Sequence, residues 1–204
     1  FEYGIKYWEI WNEPDLPQKM WSGTAEDYYR LYEMTAKAIK SQFPHLKVGG
    51  PALANAYKAK FMEDFLKYVR KRSLPLDFFS WHVYTSDVRV VERISLHVRE
   101  QLDAYGFHDV EIHLNEWNYF ETSFRYIWHE NSEFIRRRQF ERAKNEEGAS
   151  FAAAILTALQ DLPIDQANYY DGQPSALFCG LFDYYGAPRK TYYTFDAFHE
   201  MTLL

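Results

Sequence analysis

The chain of 204 residues has little of what defines several large classes of protein. Its single cysteine, Cys179, excludes an internal disulfide and a thiolate metal cluster. No run of about eighteen apolar residues occurs, so we expect no transmembrane helix and no membrane partner. Asp and Glu (29) outnumber Lys and Arg (23), giving a net charge of −6. This balance argues against nucleic acid as a partner, because binding phosphates requires a basic surface.

The N-terminus lacks an initiator Met and a signal peptide. Its first residues already have the composition of a β-strand, so we expect the chain to be a piece of a longer protein. Such an N-terminus does not identify a compartment, and we favour the cytoplasm over secretion.

Aromatic residues are unusually frequent, with 6 Trp, 17 Tyr and 16 Phe making up 19% of the chain. Flat rings cover the C–H faces of pyranose sugars, and proteins that bind sugars use them for this purpose. A core rich in aromatic side chains is the alternative explanation. Composition alone does not decide between a sugar-binding surface and an aromatic core.

The chain alternates between short runs of strand character and longer runs with helical spacing of apolar residues. Five strands are predicted, at Ile5–Trp11, Leu46–Leu53, Leu76–Tyr84, Val110–Trp117 and Ile164–Tyr170. A capping box at Thr24–Asp27 predicts the first helix, which Pro44 closes. The stretch from Asn118 to Asn145 is expected to be irregular. Such alternation predicts parallel βα units with right-handed crossovers.

Two architectures fit this order, an open doubly wound sheet and part of a (β/α)8 barrel. The open sheet usually carries a glycine-rich phosphate loop after its first strand, but the turn Asn12-Glu13-Pro14-Asp15 contains no glycine. Barrels place their chemistry at the C-terminal ends of strands, where the polar residues of this chain occur. At about 41 residues per unit, the chain holds about five of the eight units of a barrel, as one partial domain spanning residues 1–204.

Glu13 and Glu116 each follow an asparagine at the end of a predicted strand. Two carboxylates above a cleft rich in aromatic rings suit cleavage of a glycosidic bond. One carboxyl group protonates the leaving oxygen, and the other attacks or stabilises the anomeric carbon. The histidines are too scattered for a zinc site, so we expect no metal and no cofactor.

Three segments resemble strands of the clan A retaining glycoside hydrolases, most closely family 39. YWEIWNEPD (Tyr7–Asp15) resembles the fourth strand of that barrel, SWHVY (Ser80–Tyr84) the sixth and HLNEWNY (His113–Tyr119) the seventh. The resemblance covers nearly the whole chain, as strands four to eight. It implies that Glu13 is the general acid/base and Glu116 the nucleophile of a retaining, β-xylosidase-like enzyme.

The same resemblance implies roles for the neighbours of the two carboxylates. Asn12 would bind the sugar 2-hydroxyl, Tyr84 would hydrogen-bond Glu116, and His82 would line the same subsite. Further candidates for contact with the carbohydrate substrate are Asn115, Trp117, Trp128 and Tyr170. Tyr170 stands where family 39 xylosidases commonly have a Trp-rich segment, so xylose is the first expectation and other sugars remain open.

Glu9 and Glu13 are an even number of positions apart, so in one strand their side chains would lie on the same face. We therefore expect Glu9 to be an internal structural carboxylate. Trp8, Trp21 and Trp81 are expected to pack in the interior. The alternative function is a non-catalytic barrel fragment or carbohydrate-binding relic of such an enzyme. Because a partial barrel exposes strand edges, we expect the chain to self-associate into a homo-oligomer.

Overall fold

A computed structural model describes residues 3–57, 59–127, 132–174 and 180–202 of the chain. Five strands form one sheet in the order β1-β2-β3-β4-β5: Tyr7–Glu9 (β1), Lys47–Leu53 (β2), Phe78–Thr85 (β3), Glu111–Tyr119 (β4) and Gln166–Tyr169 (β5). β1 pairs in parallel with β2, and β2 in parallel with β3. Each strand lies where the sequence predicts one, which confirms the predicted order.

Helices follow the strands: Ala25–Gln42 (α1), Ala59–Lys71 (α2), Val88–Ala104 (α3), Phe124–Ile127 (α4), Glu133–Lys144 (α5), Glu146–Ala158 (α6) and Lys190–Met201 (α7). The prediction of an irregular stretch from Asn118 to Asn145 was wrong in part, because this stretch contains the end of β4 and both α4 and α5. Charged residues dominate α5 and interrupt the apolar spacing that identifies a helix in a sequence.

The predicted capping box at the start of α1 is confirmed. The Thr24 hydroxyl accepts a hydrogen bond from the Asp27 backbone N–H (3.1 Å), and an Asp27 carboxylate oxygen accepts one from the Thr24 N–H (2.9 Å). These bonds satisfy N–H groups that have no partner within the helix. Gln42 ends α1 two residues before Pro44, as the sequence predicts.

The chain divides into two compact units. The first comprises Phe1–His82, Ile94–Asn115 and Pro163–Ala167, and the second comprises Val83–Arg93, Glu116–Leu162 and Asn168–Leu204. The strands β3, β4 and β5 each contribute residues to both units.

Aromatic residues of α1 and α2 form much of the core of the first unit. Tyr28, Tyr32 and Phe65 are fully buried, and the rings of Tyr32 and Phe65 meet edge to face with centroids 5.0 Å apart. The buried Tyr28 hydroxyl donates to the backbone oxygen of Ile10 (3.1 Å), and Tyr32 donates to that of Pro75 (2.8 Å). Burial raises the pKa of both tyrosines well above its usual value. Many of the rings therefore belong to the core rather than to a sugar-binding surface.

The core of the second unit surrounds the C-terminal half of β4. Trp117 is buried and packs against Phe151 of α6 and Phe195 of α7, with centroids 6.4 and 6.0 Å apart. The Thr191 hydroxyl donates to the backbone oxygen of Ala143 (2.8 Å), which fixes the start of α7 against the end of α5. These contacts hold the three C-terminal helices to one another and to β4.

The outer edge of β1 is exposed. β1 pairs only with β2 among the described strands, and Tyr7 and Trp8 are 41% and 45% exposed. The expectation that Trp8 packs in the interior was wrong, because β1 is an edge strand, whereas Trp81 is fully buried as expected. Within the described ranges, none of the helices combines the length and apolar character that crossing a membrane requires.

The cap of α1 makes the stability of the chain depend on pH. Hydrogen bonds from the Thr24 backbone and hydroxyl, and from Arg30, lower the pKa of Asp27 to about 2. Unfolded Asp titrates near pH 3.9, so the ionised cap stabilises the fold above about pH 4, and this contribution is lost as the pH falls towards about 2. We expect the difference in the free energy of unfolding between the wild type and Asp27→Asn to shrink over this range in urea titrations. The exposed Asp109→Asn is the control, and a difference that is constant with pH would contradict the assignment.

The exposed edge of β1 underlies the proposed self-association. Unpaired strand edges bearing apolar side chains pair with other chains, and a charged residue at the edge opposes this. We expect the mass measured by light scattering to rise with concentration, and Trp8→Lys to reduce the rise. Leu96→Lys, at another exposed apolar position in α3, serves as the control. A monomeric mass at every concentration would exclude self-association.

Candidate active site

The segment that follows β1 has an unusual backbone conformation. Trp11 and Glu13 have φ angles of 72° and 50°, in the left-handed region that non-glycine residues seldom occupy. Two hydrogen bonds to β2 hold the segment: the Ile10 N–H donates to the Gly49 oxygen and the Glu13 N–H to the Ala52 oxygen, both at 3.0 Å. Strain of this kind costs roughly 1–3 kcal/mol per residue and persists where the surroundings impose it. The sheet therefore imposes the position of Glu13.

The C-terminal end of β2 is itself positioned by β3. A Cβ atom at Gly49 would lie 2.2 Å from the Phe78 backbone oxygen, so only glycine allows the two strands to approach this closely. The buried Ser80 hydroxyl accepts a hydrogen bond from the Ala52 N–H at 2.9 Å. The Ala52 oxygen accepts a hydrogen bond from the Glu13 N–H, so Ser80 helps to hold the backbone of Glu13 in place through Ala52.

Glu13 forms a hydrogen-bonded pair with His82 in the first unit. Nδ1 of His82 lies 2.9 Å from Oε1 of Glu13. The His82 side chain is 1% exposed, whereas 17% of the Glu13 side chain remains accessible. A carboxyl group that is anchored at one oxygen and reaches the surface is suited to exchanging a proton with a bound molecule.

Glu116 forms the corresponding pair with Tyr84 in the second unit. The Tyr84 hydroxyl donates to Oε2 of Glu116 at 2.7 Å. The Tyr84 ring meets Phe120 and Tyr170 edge to face, with centroids 6.0 and 6.4 Å away. These ring contacts and the hydrogen bond to Glu116 fix the position of the Tyr84 hydroxyl.

Tyr170 follows β5 and belongs to the same unit as Glu116. Its N–H donates to the Trp117 oxygen (3.1 Å), and its own oxygen accepts from the Asn118 amide (2.6 Å). The side chain is 38% exposed, which leaves part of the ring accessible. Burial raises the pKa of Asp171, the next residue.

Trp117 was predicted to stack on a sugar, but it is 1% exposed. Its indole ring lies among Tyr169, Phe151 and Phe195 in the core of the second unit, so neither face is available to a ligand. Since successive side chains of a strand point to opposite faces, Trp117 turns away from the face that carries Glu116. The other predicted platform, Trp128, lies outside the described residues.

Asn115 was also predicted to contact substrate, but its amide is engaged by Glu9. The Asn115 Nδ2 group donates to both carboxylate oxygens of Glu9, at 2.7 Å each. The Oδ1 atom of Asn115 is buried and accepts no hydrogen bond from the described residues. We name these two residues the Glu9–Asn115 clamp. Glu9 is exposed rather than internal as expected, because β1 is an edge strand, and it holds the Asn115 amide in place.

Asn12 lies beside a residue that the sequence reasoning missed. A cavity of about 400 Å³ is lined by Glu9, Trp11, Asn12 and Met20. Trp11 is 49% exposed, and its Nε1–H donates to the Met20 oxygen at 2.9 Å, which fixes the ring beside Asn12. The position of Trp11 within the W-N-E-P motif was the available signal.

Comparison with known proteins identifies the family. The family described as glycosyl hydrolases family 39 matches residues 3–134, which is more than half of the chain. A β-xylosidase of Geobacillus stearothermophilus is 26% identical over 98% of this chain and 43% of its own length. The chain therefore spans less than half of the length of this relative.

Solved structures share the fold. A glucosidase from Croceicoccus marinus is 33% identical with a TM-score of 0.73, covering 88% of this chain and 37% of that one. A monomeric β-xylosidase from Caulobacter crescentus CB15 has a TM-score of 0.74 at 22% identity, covering 94% of this chain and 41% of that one. This likeness and the observed sheet order confirm the prediction of a partial (β/α)8 barrel.

The Glu9–Asn115 clamp can be tested by exchanging its two groups. Asn115→Asp places a second carboxylate against Glu9, and we expect it to lower the free energy of unfolding by roughly 0.5–1.5 kcal/mol, because an exposed hydrogen bond is replaced by two like charges. Adding Glu9→Gln restores an amide facing a carboxylate, so the double variant should regain most of that stability in urea titrations. Equal stability of the single and double variants would show that the clamp does not stabilise the fold.

Proposed function

Because the chain belongs to glycosyl hydrolases family 39, we propose that it carries the catalytic residues of a retaining glycoside hydrolase acting on β-xylosides. One observation carries this proposal: two carboxyl groups, one in the segment after β1 and one in β4, each have a hydrogen-bonding partner, His82 for Glu13 and Tyr84 for Glu116. Both glutamates follow an asparagine in segments that resemble the catalytic strands of the family.

In the first step, the Glu116 carboxylate attacks the anomeric carbon of the sugar. The bond between that carbon and the leaving oxygen breaks, and Glu13 gives its proton to the leaving oxygen. The products of this step are the free leaving group and a sugar esterified to Glu116. In the second step, Glu13 takes a proton from water, which attacks the same carbon and releases Glu116 as a carboxylate.

The partners of the carboxyl groups suit these roles. The Tyr84 hydroxyl donates to Oε2 of Glu116 and so aims the carboxylate that would attack the sugar. His82 occupies one oxygen of Glu13, so the other is available to exchange the proton. Asn12, beside the cavity lined by Glu9 and Trp11, would bind the sugar 2-hydroxyl, a contact that strengthens in the transition state.

The choice of β-xylosides follows the β-xylosidase relatives, of which the one from Caldicellulosiruptor saccharolyticus is 27% identical over 96% of this chain. The 33% identity to a glucosidase makes β-glucosides the second substrate class to assay.

The two roles predict different products when the carboxyl groups are replaced. Glu116→Ala should reduce hydrolysis of 4-nitrophenyl β-xyloside to background, because the attacking group is lost, and Glu13→Ala should reduce it by about 10²–10⁴-fold. Azide added to Glu116→Ala attacks the sugar once and should give the α-xylosyl azide. Azide added to Glu13→Ala replaces the second-step water and should give the β-xylosyl azide.

Glu100→Gln removes an exposed carboxyl group of α3 and should leave the rate unchanged. A 2-fluoroxylosyl substrate should label Glu116 of the wild type, detected by peptide mass spectrometry. A wild-type chain that unfolds cooperatively but neither hydrolyses nor is labelled would overturn the proposal. That outcome would favour the alternative, a non-catalytic barrel fragment that retains the motif.

A further inference from the structure

The chain at the end of β4 is held from two sides. On one side the Phe120 N–H donates to the Thr85 oxygen of β3 at 3.0 Å. On the other side the Gln139 side chain of α5 forms two hydrogen bonds. Its Nε2 group donates to the Tyr119 oxygen (3.0 Å), and its Oε1 atom accepts from the Glu121 N–H (2.9 Å). Backbone groups of alternate residues in a strand bond to opposite sides in this way, so Gln139 takes the place of a neighbouring strand.

The strand on that side of β4 ends before this point. β5 ends at Tyr169, and the Tyr170 N–H donates to the Trp117 oxygen at 3.1 Å. Two residues further along β4, the Tyr119 oxygen accepts from Gln139. Removing the Gln139 amide would therefore take away the hydrogen bonds that hold this side of the chain after β5 has ended.

Gln139 can hold the chain because its own position is fixed. Its side chain is buried, with 3% of the residue exposed. The buried Ser132 hydroxyl donates to the Ile127 oxygen (2.6 Å) at the start of α5, and the Thr191 hydroxyl donates to the Ala143 oxygen (2.8 Å) near its end. α5 is thus anchored at both ends. A buried amide on such a helix leaves backbone groups without partners when it is removed, which is costly.

Phe120 connects this part of the chain to the pair formed by Tyr84 and Glu116. Its ring belongs to a buried cluster with one residue of α4 and one of α5, and the Tyr84 ring packs against this cluster. The Tyr84 hydroxyl donates to Glu116 at 2.7 Å. The two bonds of Gln139 reach the residues before and after Phe120, so they fix the direction of the Phe120 side chain. The Phe120 ring then limits the positions that Tyr84 can take.

We propose that Gln139 is a positioning residue for the nucleophile. Its amide holds Phe120 against Tyr84 and so directs the Tyr84 hydroxyl to Glu116. The inference rests on the proposed function. Because Gln139 acts through Phe120 and Tyr84, its effect on the reaction depends on the Tyr84 hydroxyl, whereas a residue that only stabilises the fold would act independently of that hydroxyl.

A double-mutant cycle separates these two roles. The readout is the rate at which a saturating 2-fluoroxylosyl substrate labels Glu116, because labelling is the attack step alone. We expect Gln139→Met, which keeps the length of the side chain and removes both hydrogen bonds, to lower this rate roughly tenfold, the factor that about 1.4 kcal/mol gives. The substrate concentration that gives the half-maximal rate should not change. In a Tyr84→Phe background the same substitution should lower the rate by no more than about twofold, because residues that act as a unit are not additive.

A milder variant and a matched control accompany this cycle. Gln139→Glu keeps the acceptor for the Glu121 N–H and loses the donor to the Tyr119 oxygen. It should lower the rate in the same direction, and it remains informative if Gln139→Met does not fold. Gln160→Met removes an exposed amide that donates to the backbone of α6, and it should leave the rate unchanged. Far-UV circular dichroism establishes that each variant is folded.

If Glu116 of the wild type is labelled and the folded Gln139 variants change the rate by the same factor in both backgrounds, or leave it unchanged, the positioning role is overturned while the proposed function stands. If Glu116 of the folded wild type is not labelled, the proposed function fails and the positioning role fails with it.

Discussion

The hydrogen bonds from Ile10 and Glu13 to β2 are the constraint on which the first unit depends. They hold the chain through Trp11 and Glu13, two residues with positive φ, at the point where β1 ends and α1 has not begun. The buried Tyr28 hydroxyl adds a bond to the Ile10 oxygen from the helix side. The strained turn is therefore bound from both the sheet and the helix layer, and this permits Glu13 to keep a fixed position at a surface.

The same arrangement connects packing to chemistry. Tyr28 and Tyr32 are core residues by burial, and their hydroxyl groups donate to the backbone oxygens of Ile10 and Pro75. In the second unit, Tyr84 performs an analogous task toward a carboxylate, with its ring packed and its hydroxyl directed at Glu116. A tyrosine can fill apolar space at one end and satisfy a polar group at the other, which explains why this chain uses so many.

The order of the strands could be predicted because each buried strand is a short apolar run bounded by polar residues, as from Phe78 to Thr85. The pairs Glu13–His82 and Tyr84–Glu116 follow from motifs whose residues occupy the ends of such strands. Alternation of side chains along β4 accounts for the burial of Trp117 on the face opposite to Glu116. From the sequence, Trp117 was instead grouped with the preceding asparagine and glutamate as a residue that contacts the sugar. The helix α5 was missed because its charged residues hide the apolar period, and its contacts with α6 and α7 come from distant parts of the chain.

The engagement of Asn115 by Glu9 could not be read from the sequence, because 106 residues separate the two and β1 and β4 are not neighbours in the sheet. Strand parity predicted an inner face for Glu9, which is exposed, and parity does not select a partner among the polar groups of a face. For Trp11, the motif was visible in the sequence but the orientation of the side chain was not. Its motif was recognised, yet the positive φ that sets the direction of its ring has no sequence signature in a non-glycine residue.

No other residue can replace Gly49 without disturbing the fold. The space that a methyl group would need is occupied by the Phe78 backbone oxygen and by the Phe78 ring, 2.2 and 2.5 Å away, and backbone atoms of a central strand do not yield. Any side chain at 49 would separate β2 from β3 and disturb the oxygen that receives the Ile10 N–H. Random mutagenesis should thus find position 49 as intolerant as the carboxylates themselves, although its residue has no functional group. A purely mutational map of this chain would include residues that build the site alongside those that act in it.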